Sequence, residues 1–184
     1  MDDDQFLNYS EYHDRCAEDV ERDTMMLEEA IGTNNIEQVR RLIPLADPAY
    51  LPQALYLAAS WAVAGAVEAL IAVADPVPHN SRALQAAAEG GSIKCVQLLI
   101  PLSTNRTDNS AALFEALWNG HLDIMDLLYP HCCPQRVLDL FEKRPARPYI
   151  EPYLEHFEQL MVHDQRKRLA QEVGTQGAIK TRKL

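Results

Sequence analysis

Length, composition and charge exclude several classes of protein. The chain has 184 residues, of which 47% are hydrophobic and 24% are charged, a composition typical of one globular domain. Its formal net charge of −10 argues against nucleic acid or an anionic membrane as the main partner, because phosphate groups bind to positive surfaces.

Residues 1–24 are predicted to form an acidic segment that caps the fold. Eleven acidic side chains and two arginines give residues 1–29 a net charge of −9. We expect Asp4–Arg22 to form a charged helix that leads into the rest of the fold. The amino terminus has no basic stretch followed by an apolar run, so the sequence does not predict a secretory signal.

One sequence pattern recurs four times across residues 25–131. Ala83–Pro101 and Ala112–Pro130 match at an offset of 29 residues, and two earlier copies precede them. Equivalent leucines of the four copies lie 28, 29 and 29 residues apart, at Leu42, Leu70, Leu99 and Leu128. A fixed period of roughly 20–50 residues is typical of stacked-repeat proteins, which more often present binding surfaces than catalytic pockets.

Each copy is predicted to be a pair of short helices. In the third copy we expect helices over Ala83–Glu89 and Ile93–Ile100, because apolar residues recur there at helical spacing. Ser81 and Ser92 are the predicted N-caps of these two helices. Ile93 is expected to face the core.

The turns between paired helices are predicted from residues that tolerate a left-handed backbone. The third copy has Gly90-Gly91, the fourth has Asn119-Gly120-His121, and the first has Asn34. The turn of the second copy, Trp61–Ala64, lacks both glycine and capping residues, although its buried positions keep the register.

These motifs resemble the ankyrin repeat. The shared features are an Ala-Leu-x-x-Ala-Ala first helix, the Asn119-Gly120-His121 turn and a Leu-x-x-x-x-Leu-Leu second helix. The period of 28–29 residues is shorter than the usual ankyrin length of about 33 and is similar to a bacterial short-repeat variant. The resemblance implies an all-α solenoid of about four helix pairs with helical caps at both ends. It also implies that His121 hydrogen-bonds a turn.

Beyond residue 131 the repeat register is lost, and residues 132–174 are predicted to form a helical C-terminal cap. We expect helices over Gln135–Glu142 and Ile150–Val173, the second with an apolar stripe that includes Phe157 and Leu169. Residues 175–184 are polar and basic and are predicted to form a mobile tail.

The sequence predicts no enzyme activity, no metal site and no cofactor. His131, Cys132 and Cys133 are too close together in sequence to bind one metal ion easily. No phosphate-binding loop or catalytic motif occurs. Because the spacing of the cysteines does not suggest a disulfide framework, we expect a reducing, cytoplasmic compartment, with export as an effector as the alternative.

A partner-binding surface is predicted on the first helices, which in ankyrin proteins line the concave face. Transfer by the repeat offset places both tryptophans at outward positions, where aromatic residues are typical of binding hot spots. The predicted surface consists of Tyr56, Trp61, Arg82, Glu89, Phe114, Glu115 and Trp118.

For some of these residues an alternative stays open. Tyr56 and Phe114 could instead stack between neighbouring first helices, and Trp61 could fill space left by the unusual second turn. Trp118 is expected to be exposed.

The predicted function is a monomeric, non-catalytic protein–protein interaction module whose partner could be basic. Two alternatives remain. The chain could be a bacterial or phage effector or inhibitor whose acidic surface blocks a basic site on an enzyme, such as a nucleic-acid-binding site. It could instead associate with a copy of itself.

Overall fold

The computed structural model describes residues 16–73, 80–103, 106–144 and 149–181. Within these ranges the backbone forms α-helices and short 3-10 turns, without any strand. The helices are α1 Ala17–Gly32, α2 Ile36–Leu42, α3 Leu51–Ser60, α4 Ala64–Ile71, α5 Asn80–Glu89, α6 Ile93–Leu99, α7 Arg106–Asn119, α8 Leu122–Leu128, α9 Pro134–Phe141 and α10 Glu151–Thr181. The predicted all-α solenoid is confirmed.

The helices stack in two rows. α1, α3, α5, α7 and α9 pack against one another in order and form the first-helix row, while α2, α4, α6, α8 and α10 form the second-helix row. Each helix of the first four pairs also packs against its own partner. Buried alanines such as Ala54, Ala83 and Ala112 let neighbouring first helices approach closely, because they add little volume at the contact.

The predicted C-terminal cap continues the stack as a fifth helix pair. Phe157 of α10 follows Leu128 by 29 residues and is fully buried, as Leu70, Leu99 and Leu128 are. α9 packs on α7 in the first-helix row, and α10 packs on α8 in the second. The sequence obscured this pair because a phenylalanine replaces the leucine and little else of the motif remains.

Each of the first four pairs turns through one residue with a left-handed backbone. Asn34 has a φ of 55°, Gly91 of 74° and Gly120 of 79°, which confirms the predicted stops. In the second turn Ala62 adopts the same conformation, with a φ of 60°. A side chain at such a φ costs on the order of 1 kcal/mol, so the second turn keeps the shape of the others under strain.

Rings from the following copy lie against three of these turns. A Cβ added to Gly91 would lie 2.7 Å from Cε1 of His121, and one added to Gly120 would lie 2.6 Å from Cζ of Tyr153. At Gly32 the added Cβ would lie 3.5 Å from Cζ3 of Trp61, an ordinary contact. The third and fourth turns therefore require glycine for space as well as for backbone conformation.

Side-chain hydroxyls fix the connection between repeats at two equivalent places. The Thr24 hydroxyl accepts a hydrogen bond from the backbone N–H of Asp47 at 3.0 Å, and the Ser110 hydroxyl accepts one from the N–H of Cys133 at 2.9 Å. Both partners of the second bond lie 86 residues after those of the first. The same contact thus recurs three repeats along the chain.

Several local predictions were wrong. α5 begins at Asn80, so Ser81 lies inside the helix and is not its cap. Ser92 does occupy the predicted N-cap position of α6, but its side chain makes no capping hydrogen bond. Ile93 is 39% exposed because it lies in the first turn of α6, on the side away from the core. Leu169 is 54% exposed because α10 extends beyond the repeats that it packs against.

The two ends of the described chain differ from the predicted segments in their helix bounds. α1 runs without a break through the predicted boundary at residue 24, and the predicted helix Asp4–Arg22 lies mostly outside the described residues. α10 continues to Thr181, through most of the tail predicted for residues 175–184. Gln176, Ala178 and Lys180, which favour helix, outweigh Gly177 there.

Candidate partner-binding surface

The seven residues predicted to bind a partner do not form one surface. They fall into an open group of Tyr56, Trp61, Arg82 and Glu89 on α3, α5 and the second turn, and a covered group of Phe114, Glu115 and Trp118 on α7. What separates the two groups is the fifth helix pair, which packs on α7.

The covered group forms an aromatic cluster with α9. Phe114 is 2% exposed and Trp118 is 7% exposed. The Phe114 ring stacks on Trp118 with centroids 5.5 Å apart and meets the edge of Phe141 at 4.8 Å. The predicted exposure of Trp118 is wrong, because Phe141 covers it. Phe114 follows the alternative in which the ring stacks between neighbouring first helices.

Arg144 completes this cover. Its guanidinium lies over the rings of Phe114 and Trp118, 5.0 Å and 5.8 Å from their centroids, and pairs with the Glu115 carboxylate at 3.2 Å. A cation over a ring and an ion pair together hold the guanidinium in place. The chain's own C-terminal segment therefore occupies the part of the first-helix row where the sequence placed three of the seven partner-binding residues.

The open group remains accessible to solvent. Trp61 is 45% exposed and Glu89 is exposed, while Tyr56 is half-buried under the guanidinium of Arg82, 5.8 Å from its ring centroid. The Glu89 carbonyl accepts a hydrogen bond from Nε2 of His121 at 3.1 Å, which fixes the imidazole as the Nε2–H form or the cation. This bond confirms that His121 hydrogen-bonds a turn.

A shallow groove beside Trp61 was missed by the sequence reasoning. It is lined by Arg22, Met25, Met26, Glu28, Glu29, Gly32, Thr33 and Trp61. Met25 is 68% exposed and Met26 is 38% exposed. The signal was present in the repeat register, because Met26 occupies the position of the buried residues Ala54, Ala83 and Ala112. We name it the acidic groove.

Acidic side chains dominate α1 around this groove. The helix carries six carboxylates and a single base, Arg22, whose guanidinium lies 2.9 Å from Asp19. Glu28 accepts a hydrogen bond from the Tyr50 hydroxyl at 2.6 Å. Burial, together with this bond and the charge of Glu28, raises the pKa of the Tyr50 phenol far above its usual range.

Two of the four thiols are buried, and no metal-binding cluster occurs among the described residues. Cys95 and Cys132 are buried, and burial raises the pKa of the Cys95 thiol, which lowers its reactivity. The parts of the chain that the structure describes hold no group of three His, Cys, Asp or Glu side chains placed to bind a metal ion. Among the helices seen in the structure, none has the length and apolar character to cross a bilayer.

Comparison with known families identifies the repeats. Residues 55–137 match the family model of ankyrin repeats in three copies. These residues are ankyrin repeats. The pair α1–α2 lies outside the match, although it packs in the same register. Searches of curated proteins and of solved structures each found no significant match. Ankyrin repeats are generally protein–protein interaction modules, and the fold is typically non-catalytic.

Proposed function

We propose that this chain is a non-catalytic module that binds a partner protein through the open group, Tyr56, Trp61, Arg82 and Glu89. The observation that carries the proposal is the exposure of Trp61, 45% of whose surface meets solvent at the end of a first helix. An exposed tryptophan with a tyrosine and an arginine nearby is the residue set that dominates binding energy at protein interfaces.

Contacts within the open group support a preformed site. Arg82 lies over the Tyr56 ring, and each side chain limits the freedom of the other. Trp61 packs on one side against Gly32, so its ring is held by the first turn while its other side faces solvent. Side chains that are already ordered lose less entropy on binding.

A second candidate function is inhibition of an enzyme that has a basic site. The net charge of −5 on α1, from six carboxylates and Arg22, favours it. Such a surface would cover positive charge that normally binds nucleic acid or another polyanion. Binding would then fall steeply with salt, whereas recognition centred on Trp61 and Tyr56 would change little.

The proposal extends to oligomeric state and compartment. We infer a monomer in a reducing, cytoplasmic environment. The exposed thiols of Cys16 and Cys133 support this, because exposed thiols persist where glutathione and thioredoxin keep them reduced.

Affinity capture with matched variants tests the proposed function. Arg82→Glu and Trp61→Ala should each remove the captured partner, while Lys94→Glu should retain it. Lys94 is exposed on α6 in the second-helix row, so its reversal changes the net charge as much as Arg82→Glu does. Capture that survives both Arg82→Glu and Trp61→Ala would contradict the proposed surface.

A further inference from the structure

We infer that the acidic groove binds a basic segment of the partner that carries a large apolar side chain between lysines or arginines. The inference rests on the proposed function, because Trp61 belongs to both surfaces and one partner would contact them together. It adds the chemistry of the bound segment, which the open group alone does not specify.

The floor of the groove suits an apolar side chain. Met25 and Met26 are exposed, whereas the neighbouring apolar residues of the same helix, Leu27, Ala30 and Ile31, are buried. Methionine is flexible and polarisable, so neighbouring methionines adapt to apolar side chains of different shapes. The Trp61 ring also lines the groove and supplies a large rigid contact surface.

The rim of the groove selects positive charge. Glu28 and Glu29 line it together with Arg22, the sole base of α1, whose guanidinium pairs with Asp19 at 2.9 Å, so the acidic charge of the helix exceeds the basic charge beside the groove. Complementary charge around an apolar contact raises the association rate and rejects partners of like charge. An apolar segment with acidic neighbours would therefore be excluded, and one with basic neighbours attracted.

Charge also argues against other parts of this chain as the occupant. Residues 1–15 carry five acidic residues and one arginine, so they repel the rim. The basic run Arg166–Arg168 lies on α10, which packs against the fourth pair at the opposite end of the stack. A separate basic partner segment fits best.

Trp61 can report binding directly in a variant that contains no other tryptophan. Trp118→Phe leaves Trp61 as the single tryptophan, since the chain has two. The probe is an 18-residue peptide with leucines on one helical face, lysines on the other and no aromatic residue. We expect a blue shift of Trp61 emission that saturates at micromolar peptide. A peptide with glutamates in place of the lysines should cause no shift.

Matched charge reversals localise the effect. Glu29→Lys on the rim should weaken binding of the lysine peptide by about fivefold, since a nearby attraction becomes a repulsion. Glu68 is exposed on α4, so Glu68→Lys changes the net charge equally and should leave affinity within about twofold, because salt screens distant charges. Met25→Asn should weaken binding without changing the charge.

Several outcomes would overturn the inference. These are the absence of a shift, an equal shift with the glutamate peptide, or equal weakening by Glu68→Lys and Glu29→Lys. Emission that depends on protein concentration without peptide would assign the groove to a second copy. Partner capture that is lost with Arg82→Glu but kept with Met25→Asn and Glu29→Lys would reject the groove while leaving the proposed function intact.

Discussion

Two tryptophans near opposite ends of the first-helix row differ sharply in solvent exposure. Trp61 near the beginning is 45% exposed, whereas Trp118 near the end is 7% exposed. Trp61 directly follows α3, and Trp118 lies in the last turn of α7. These are neighbouring positions of the repeat, so the position within the repeat does not explain the difference in exposure. The difference comes from Phe141 and Arg144, which cover Trp118 from the fifth pair. Exposure in a stacked protein therefore depends on the neighbouring repeat more than on position within a repeat.

The largest expected effect is a difference in stability between substitutions of Gly120 and of Gly32, which lie at opposite ends of the stack. Gly120→Ala should lower the free energy of unfolding by about 2–4 kcal/mol, because it adds strain at a left-handed φ and a clash with Tyr153. Gly32→Ala should change it by less than about 1 kcal/mol, since its added Cβ makes an ordinary contact with Trp61. Urea denaturation measures both. Equal losses would mean that the covered end is no more tightly constrained than the open one.

Removal of the Phe141 ring should expose Trp118 to solvent, as Trp61 already is. Phe141→Ala is expected to cost about 2–3 kcal/mol and to shift Trp118 emission to longer wavelength, because water reaches the indole. The measurement uses a Trp61→Phe background, so that Trp118 alone emits. Trp61→Phe without Phe141→Ala is the control and should keep the blue emission of a buried indole. An unchanged spectrum after Phe141→Ala would show that another side chain protects Trp118.

Arg144 should contribute less than Phe141. Arg144→Ala is expected to cost about 1 kcal/mol, since it removes the cation above two rings and the pair with partly buried Glu115. The matched control is Arg41→Ala, which breaks the exposed pair with Glu37 at 2.6 Å and should cost at most about 0.5 kcal/mol. Thermal unfolding compares the two. If Arg144→Ala lowers the stability no more than Arg41→Ala does, apolar packing alone covers Phe114 and Trp118.

The smallest expected effect is a gain in stability at the open end. Ala62→Gly should raise the free energy of unfolding by about 0.5–1 kcal/mol, because glycine adopts the φ of 60° without strain. Ala64→Gly, two residues later at the start of α4, should instead cost about 0.5–1 kcal/mol. Iodide quenching of Trp61 should be unchanged by Ala62→Gly. A loss of stability would show that the turn depends on the alanine side chain.

The repeat period was enough to predict most of the fold. Buried leucines at 28–29-residue spacing fixed the helix pairs, and glycine or asparagine fixed the turns, because both signals act within one copy. The fifth pair was harder to predict. Its buried anchor is Phe157, where the earlier copies have leucine. The position is therefore buried as in the other copies, although the residue departs from the motif.

The candidate site was only partly predictable, for the same physical reason. The exposure of Trp61 could be expected from its register, but the burial of Trp118 depends on Phe141, which lies outside the recognisable repeats. The acidic groove depends on Met26 occupying an alanine position in the first helix. A contact made between copies is not encoded in the pattern of any single copy.

The rings that lie on the turns give the stack a direction. Trp61, His121 and Tyr153 each belong to the copy that follows the turn they cover. During synthesis the amino end of the chain leaves the ribosome first. Each of these turns therefore stays uncovered until about 30 further residues have emerged. Shortening the molecule from its carboxyl end uncovers a turn, whereas deleting copies from its amino end leaves the remaining rings in place. Such a stack can vary its beginning more freely than its end.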